Sequence, residues 1–333
     1  GQTWWRHTPA WIDYLSRCQY LLQQGEYVAD VLWYLGDNLD VPPAQDTPFV
    51  EGYRFDHLNA EVLHDRLSVN AGRLHVRDGG DYRLIRLRDS GRMLRSTAER
   101  LLELVQAGAV VLGDKPQTSP SLMDDAADRK VLQSIADRLW GNTPSGVQQV
   151  GRGKVYWGRP LDEVLTAEGI VADVVVPNAA NIAWIHRKVG DADIYFLSNQ
   201  DPDPVHASLG FRIKGKVPER WDPHTGITRP LSVWQDGAEH THVALDFAAH
   251  GSAIVVFRTA APDHAWATVR LDGQTVLDSS PGWVYQESGT KIEIIRAEYG
   301  ILEDPKHCLD VTKILQQEVA GGAVQVSGHN NLA

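Results

Sequence analysis

Val28-Ala-Asp-Val-Leu-Trp-Tyr-Leu35, a crossing that holds Pro42, Pro43 and Pro48, and then Gly52-Tyr-Arg-Phe-Asp-His-Leu-Asn-Ala-Glu-Val-Leu63 form the stretch on which the architecture turns. The first run is apolar on both alternating faces apart from Asp30, the pattern of a parallel strand covered by helices on each side. Gly36-Asp37-Asn38 ends it, and the prolines from Leu39 to Val50 forbid either a strand or a helix, so a long surface loop follows. From Asn59 to Leu67 the spacing of Val62, Leu63 and Leu67 predicts a helix with Asn59 as N-cap. A strand that empties into a loop and then feeds a helix is how open α/β sheets build ligand sites at strand C-termini. Asp56, Asn59 and Glu61 would then stand at a helix N-terminus beside a strand end. Residues of these types at a helix start more commonly cap and solvate it.

The surrounding chain extends the α/β pattern. Ser96 to Gly108 reads as a capped amphipathic helix, and Ala109-Val-Val-Leu-Gly113 as another buried parallel strand. The alternation continues through Asp124 to Trp140 and Lys154 to Glu168, which predicts a doubly wound domain of flavodoxin or amidotransferase-like type over residues 26–176. Gly113 to Ser121 lies at a second strand end but lacks the glycine spacing of a phosphate loop. Upstream, Thr8-Pro9 and Gly25 bracket a helix whose inner face is expected to carry Trp11, Leu15, Cys18 and Leu22. Residues 1–25 therefore read as a connecting helix from an upstream domain, because the Trp-rich start has neither a leader nor a Met.

Near Pro177 the periodicity changes from helical to alternating. Ile182–Lys188, Asp193–Asn199, Ala207–Ile213, Val243–Phe247 and Ser252–Arg258 predict an antiparallel β-sandwich over residues 177–260. Asp191 and Asp193 flank one of its turns and are expected to solvate it. Residues 261–333 supply Trp266–Leu271, Lys291–Ile295, a helix from Asp310 to Glu318 and Ala323–Val326, too few strands to close a sheet. That part reads as a partial third β-rich module.

Bulk properties narrow the function classes. A net charge of -11 without a compensating Lys/Arg run argues against a nucleic-acid or anionic-membrane partner. No apolar run approaches the roughly 18 residues that a spanning helix needs. Cys18 and Cys308 are too few for a disulfide framework or a cysteine metal site. Cys18 lies mid-helix and Cys308 outside the α/β domain, so neither can serve an amidotransferase that needs a Cys at a strand-to-helix elbow.

Several stretches together resemble the C-terminal half of glycoside hydrolase family 106, the α-L-rhamnosidases. They are Trp11–Gly25, Val28–Asp30, Gly52–Asp56 with Asn59 and Glu61–Leu63, Ser119–Leu122, Ile185–Arg187, Asp191–Asn199 and Trp221–Gly226. The resemblance implies inverting, calcium-assisted release of terminal rhamnose from plant polysaccharides or glycosides, in the periplasm or outside the cell. It implies a catalytic (β/α)8 barrel in the same polypeptide. A barrel needs about 250 residues, so the family's principal acid and base are expected upstream and are assigned to no residue here. The same resemblance implies that Tyr53, Asp56, Asn59 and Glu61 contact sugar and that one carboxylate helps hold calcium; no metal ligand is named. His186 and Arg187 form a second candidate pair, although a strand His beside Trp184 and Tyr195 is more often structural. The rival reading is a non-catalytic carbohydrate-binding or interaction protein that keeps the accessory domains alone.

Overall fold

The protein is described from a computed structural model covering residues 4–37, 49–177, 180–231 and 233–260, with the backbone of short strands at 268–271, 274–278, 298–299 and 309–310. The expected Pro-rich loop from residue 38 to 48, the segments 291–295, 311–318 and 323–326, and Cys308 lie outside the described residues.

Helix α1 (Thr8–Leu22) leads into β1 (Glu26–Tyr27) and β2 (Val31–Tyr34). Then come β3 (Phe55–Leu58), α2 (Ala60–Asp65), the small sheet β4 (Leu67–Asn70), β5 (Arg73–Val76) and β6 (Asp81–Tyr82), and β7 (Leu84–Leu87). Helix α3 (Arg95–Ala107) precedes β8 (Val110–Leu112), and α4 (Ala126–Leu139) precedes the hairpin β9 (Gly146–Val150) and β10 (Gly153–Trp157), which ends in α5 (Leu161–Ala167). The sheet order is β3-β2-β7-β8-β10-β9, with every neighbouring pair parallel except β10 with β9. Counting only the parallel strands, the order is second, first, third, fourth, fifth, a doubly wound pattern.

The helices cover both faces for the reason the apolar strands require. On one side Leu101, Leu104 and Val105 of α3 and Leu132, Ile135 and Leu139 of α4 pack on Leu32, Ile85, Val111 and Val155. On the other, Leu161, Val164 and Leu165 of α5 pack on Val31, Leu84, Leu112 and Tyr156. Gly108 closes α3 at φ +123°, donating its N–H to the carbonyls of Leu104 and Val105. Phe55 to Leu58, for which the sequence predicts no element, forms the parallel strand β3, with Val31 opposite Phe55 and Tyr34 opposite Leu58. Asp56 and His57 disguised it, because polar residues in a short edge strand look like loop chemistry.

The remaining strands are antiparallel: β11 (Val174–Val175), β12 (Ile182–Val189), β13 (Ala192–Asn199), β14 (Val205–Phe211), β15 (Lys216–Trp221), β16 (Thr228–Pro230), β17 (Trp234–Asp236), β18 (Thr241–Phe247) and β19 (Ser252–Ala260). They form two sheets, β1-β12-β13-β19-β15-β16 and β11-β14-β18-β17. Trp184, Tyr195, Leu197, Val255 and Phe257 from the first share one core with Leu209, Phe211, Val243, Leu245 and Phe247 from the second. The chain is therefore an α/β unit joined to a β-rich unit. Strand pairing crosses the segment boundaries, since β1 pairs with β12 and β11 with β14.

Helix α1 lies on the outer face of the larger antiparallel sheet. Cys18 and Leu21, with Tyr14 beside them, meet Ile194, Ile254 and Val256. Trp11, expected inside, is 59% exposed. The face is rotated because the sheet offers a partner to the Tyr14, Cys18, Leu21 stripe, and the Tyr14 hydroxyl hydrogen-bonds that of Ser252 at 2.8 Å. Beyond Ala260, Thr268–Leu271 pairs with Gln274–Asp278. In a separate compact unit from Tyr285 to Ala333, Glu298–Tyr299 pairs with Leu309–Asp310.

Candidate functional site

The strand-to-helix junction at β3 and α2 is satisfied internally. Asn59 Oδ1 accepts the Val62 N–H at 2.9 Å and is the N-cap of α2. Asp56 Oδ2 accepts the Tyr82 hydroxyl at 2.9 Å and Oδ1 accepts the His57 N–H at 2.8 Å. Tyr53 is half-buried and donates its hydroxyl to the Ile170 carbonyl at 2.7 Å. Glu61 is exposed in the first turn of α2. Asn59→Ala is expected to cost about 1 kcal/mol of stability through the lost cap, readable as a small decrease in urea midpoint.

His186 belongs to a different place. It sits on β12, 3% exposed, in the floor of a cleft of about 690 Å³ where the α/β and β-rich units meet. Its Nδ1 lies 2.8 Å from Asp173 Oδ2 and its Nε2 3.2 Å from Asp193 Oδ1. Tyr195, stacked on the ring at 4.0 Å between centroids, donates to Asp173 Oδ1 at 3.0 Å. Lys216 donates to Asp193 Oδ2 at 2.8 Å, and Arg212 donates to Asp30 Oδ1 at 2.9 Å and to the Val171 carbonyl at 2.6 Å. Arg187 follows on the same strand and points the other way, its guanidinium bonding the carbonyls of Gln24 and Gly25. Alternation along a strand separates this pair. The six candidates thus do not converge: four stand near the β3 strand and the start of α2, and His186 alone enters the cleft.

Electrostatics within the cleft follow from burial and pairing. Burial by itself lowers the His186 pKa, but hydrogen bonds and charge from Asp173 and Asp193 outweigh it and leave the pKa raised. With a carboxylate at each ring nitrogen, both nitrogens donate, which is the imidazolium arrangement. Burial pushes the Asp193 carboxyl up, and the opposing bonds from His186 and Lys216 bring it below its ordinary value. Asp193 therefore does not solvate a turn as expected; the fold carries it inward. For Asp30 burial wins over Arg212, and its pKa is raised. A histidine with both nitrogens committed holds charge and is not available as a general base.

Asp30 was visible in the sequence as the lone polar residue of an apolar strand. Arg212 and Asp173 gave no such signal, because Arg212 and Asp30 are 182 positions apart. The cleft also opens at the wrong end for the expectation. Asp30 and Arg83 immediately precede β2 and β7, so it lies at the N-terminal ends of the parallel strands. At the opposite end Asp37 accepts the Tyr34 and Thr97 hydroxyls and the Leu94 N–H, which fixes the start of α3.

A sequence model of the α-L-rhamnosidases, glycoside hydrolase family 106, matches residues 1–235. This chain belongs to that family. A curated protein of Formosa agariphila, provisionally named a beta-glucuronidase, is 28% identical over 97% of this chain and 26% of its own length. The structure of a rhamnosidase from Novosphingobium sp. PP1Y superimposes with a TM-score of 0.74 at 30% identity, covering 81% of this chain and 27% of that one. The family 106 chain described here thus spans about a quarter of the length of each relative.

Proposed function

We propose that this chain is the C-terminal accessory part of a glycoside hydrolase that removes terminal α-L-rhamnose from plant polysaccharides or glycosides, acting in the periplasm or outside the cell. The observation that carries the reading is the match to the Novosphingobium rhamnosidase, extensive on this chain and confined to 27% of that one. In this reading a flavodoxin-like domain and a β-sandwich, held together by the His186 network, support a catalytic barrel elsewhere in the same polypeptide. Inverting hydrolysis needs a carboxylic acid and a carboxylate about 6.5 to 9.5 Å apart, with room for water between them. Asp56, Asp173 and Asp193 are instead taken up by hydroxyl, amide, imidazole and ammonium partners.

The described residues do not fit a calcium ion. No group of three or more His, Cys, Asp or Glu among them is placed to hold a metal. The unpartnered Asp30 oxygen has Arg212 on the same carboxylate, a poor neighbour for a cation.

Hydrolysis of an aryl α-L-rhamnoside by the folded 333-residue chain, with calcium and with a chelator, tests the reading. The expected result is a folded chain without turnover and with the same melting temperature in both conditions. Calcium-dependent turnover would sink the accessory role. An aryl β-D-glucuronide run in parallel examines the activity named for the Formosa relative. Hydrolysis of that substrate alone would move the substrate class away from rhamnose.

A further inference from the structure

The cleft between the α/β and β-rich units is lined by a carboxylate that the described residues leave half served. Asp30 is 4% exposed, and although its Oδ1 takes the Arg212 hydrogen bond, its Oδ2 is buried without a partner among the described residues. Leaving a carboxylate oxygen in this state costs free energy unless something in the cleft donates to it. The cleft that Asp30 lines is about 690 Å³, within the range of sites for small organic ligands.

We propose that this cleft is a secondary binding site for a neutral saccharide unit, the Asp30 carboxyl turning its buried Oδ2 toward the cleft to accept a sugar hydroxyl. The chemistry of the walls selects that class. Arg73, Arg83 and Lys188 stand in the lining together with Glu26, Asp81 and Glu239, so charged groups of both signs line the space. A strongly anionic ligand meets the glutamates and a cationic one meets Arg83, Lys188 and Arg212, whereas a hydroxyl both donates and accepts and satisfies either neighbour. Half-buried Tyr27 and Ile213 add apolar surface for the C–H faces of a ring. The site uses Asp30, Arg83 and Arg212 and does not depend on where the family's hydrolytic residues lie, so it stands or falls separately from the accessory reading.

Saturation-transfer NMR and calorimetric titration of the full chain test this, with L-rhamnose and D-galactose as neutral probes and D-glucuronate as the charged one. Binding of at least one neutral sugar is expected, weakened about tenfold by Asp30→Asn through loss of a charge-assisted hydrogen bond. Arg83→Gln, which leaves the Asp30 to Arg212 bond in place, provides a second readout if Asp30→Asn does not fold, and it too should weaken binding. Saturation transfer to none of the probes overturns the proposal and leaves a water-filled gap. Binding unchanged in whichever of the two variants folds would place the sugar elsewhere and overturn it equally. Binding of D-glucuronate alone overturns the neutral class.

Discussion

Replacing His186 with alanine is expected to lower the unfolding free energy by about 3–5 kcal/mol, the range for breaking a buried ion pair on one side. The substitution strands Asp173 and Asp193, which are 2% and 5% exposed, and the Arg212 and Lys216 bonds do not replace an imidazolium lying between them. At about 2–4 °C per kcal/mol for a unit of this size, the melting temperature should fall by roughly 10 °C. Arg187→Ala is the comparison. It removes bonds to the Gln24 and Gly25 carbonyls at the surface and leaves no buried charge unpaired, so its effect should be markedly smaller. Equal melting temperatures for His186→Ala and the parent protein would show that the network contributes nothing.

The same network sets a pH window. The His186 pKa is raised on folding, so its stabilisation is complete below the unfolded value of about 6.5 and is lost as pH rises through the folded pKa. The Asp193 pKa is depressed on folding, so its stabilisation is present above the unfolded value of about 3.9 and is lost as pH falls through the folded pKa. The stability difference between parent and His186→Ala should therefore be greatest at roughly pH 4 to 6 and should shrink in alkali. Urea titrations at pH 5.5 and pH 9 would read it, and a difference that grows toward pH 9 would contradict the assignment of charge.

Trp140→Ala is expected to cost about 3–5 kcal/mol, the range for a large aromatic removed from a core. Trp140 is 1% exposed at the end of α4 and packs in the core beneath the sheet. Its indole N–H donates to the Gly113 carbonyl at 2.8 Å, tying the helix to the end of β8, and alanine leaves that carbonyl without the bond. Trp140→Phe separates the two contributions, since it keeps most of the packing and loses about 1 kcal/mol of hydrogen bonding. Calorimetry can also locate the damage. Trp140 lies wholly within the α/β unit, whereas His186 bonds to Asp193 on β13 and to Asp173 at the start of β11, so Trp140→Ala should lower an α/β transition and His186→Ala a β-rich one. A single transition lowered equally by both variants would mean that the units unfold together.

Much of the scaffold was legible because it rests on local rules. The apolar strands at Val31–Tyr34 and Val110–Leu112 and the helix closed by Gly108 were readable from periodicity and end signals. The antiparallel strands around β12, β13, β14, β18 and β19 were readable from alternation. Strand β3 was not, because Phe55-Asp-His-Leu58 is short and half polar and becomes a strand through pairing with β2. Helix α1 offered two stripes that share Cys18. The sequence favoured the one with Trp11, and the sheet residues Ile194, Ile254 and Val256 selected the other. Asn59 as an N-cap was readable because a cap depends on three neighbouring residues alone.

The sequence by itself determined most of the element types, β3 excepted, the succession of an α/β unit and a β-rich unit, and the family. Each depends on residues near one another in the chain or on motifs in a fixed order. Tertiary structure alone decided where the buried polar chemistry gathers. Asp30, Asp173, His186, Asp193, Arg212 and Lys216 come from separate strands and loops, and none carries a local sign of its partners. They meet because the N-terminal ends of a parallel sheet close on an antiparallel one. Once buried there, each charge requires an opposite charge within hydrogen-bonding reach.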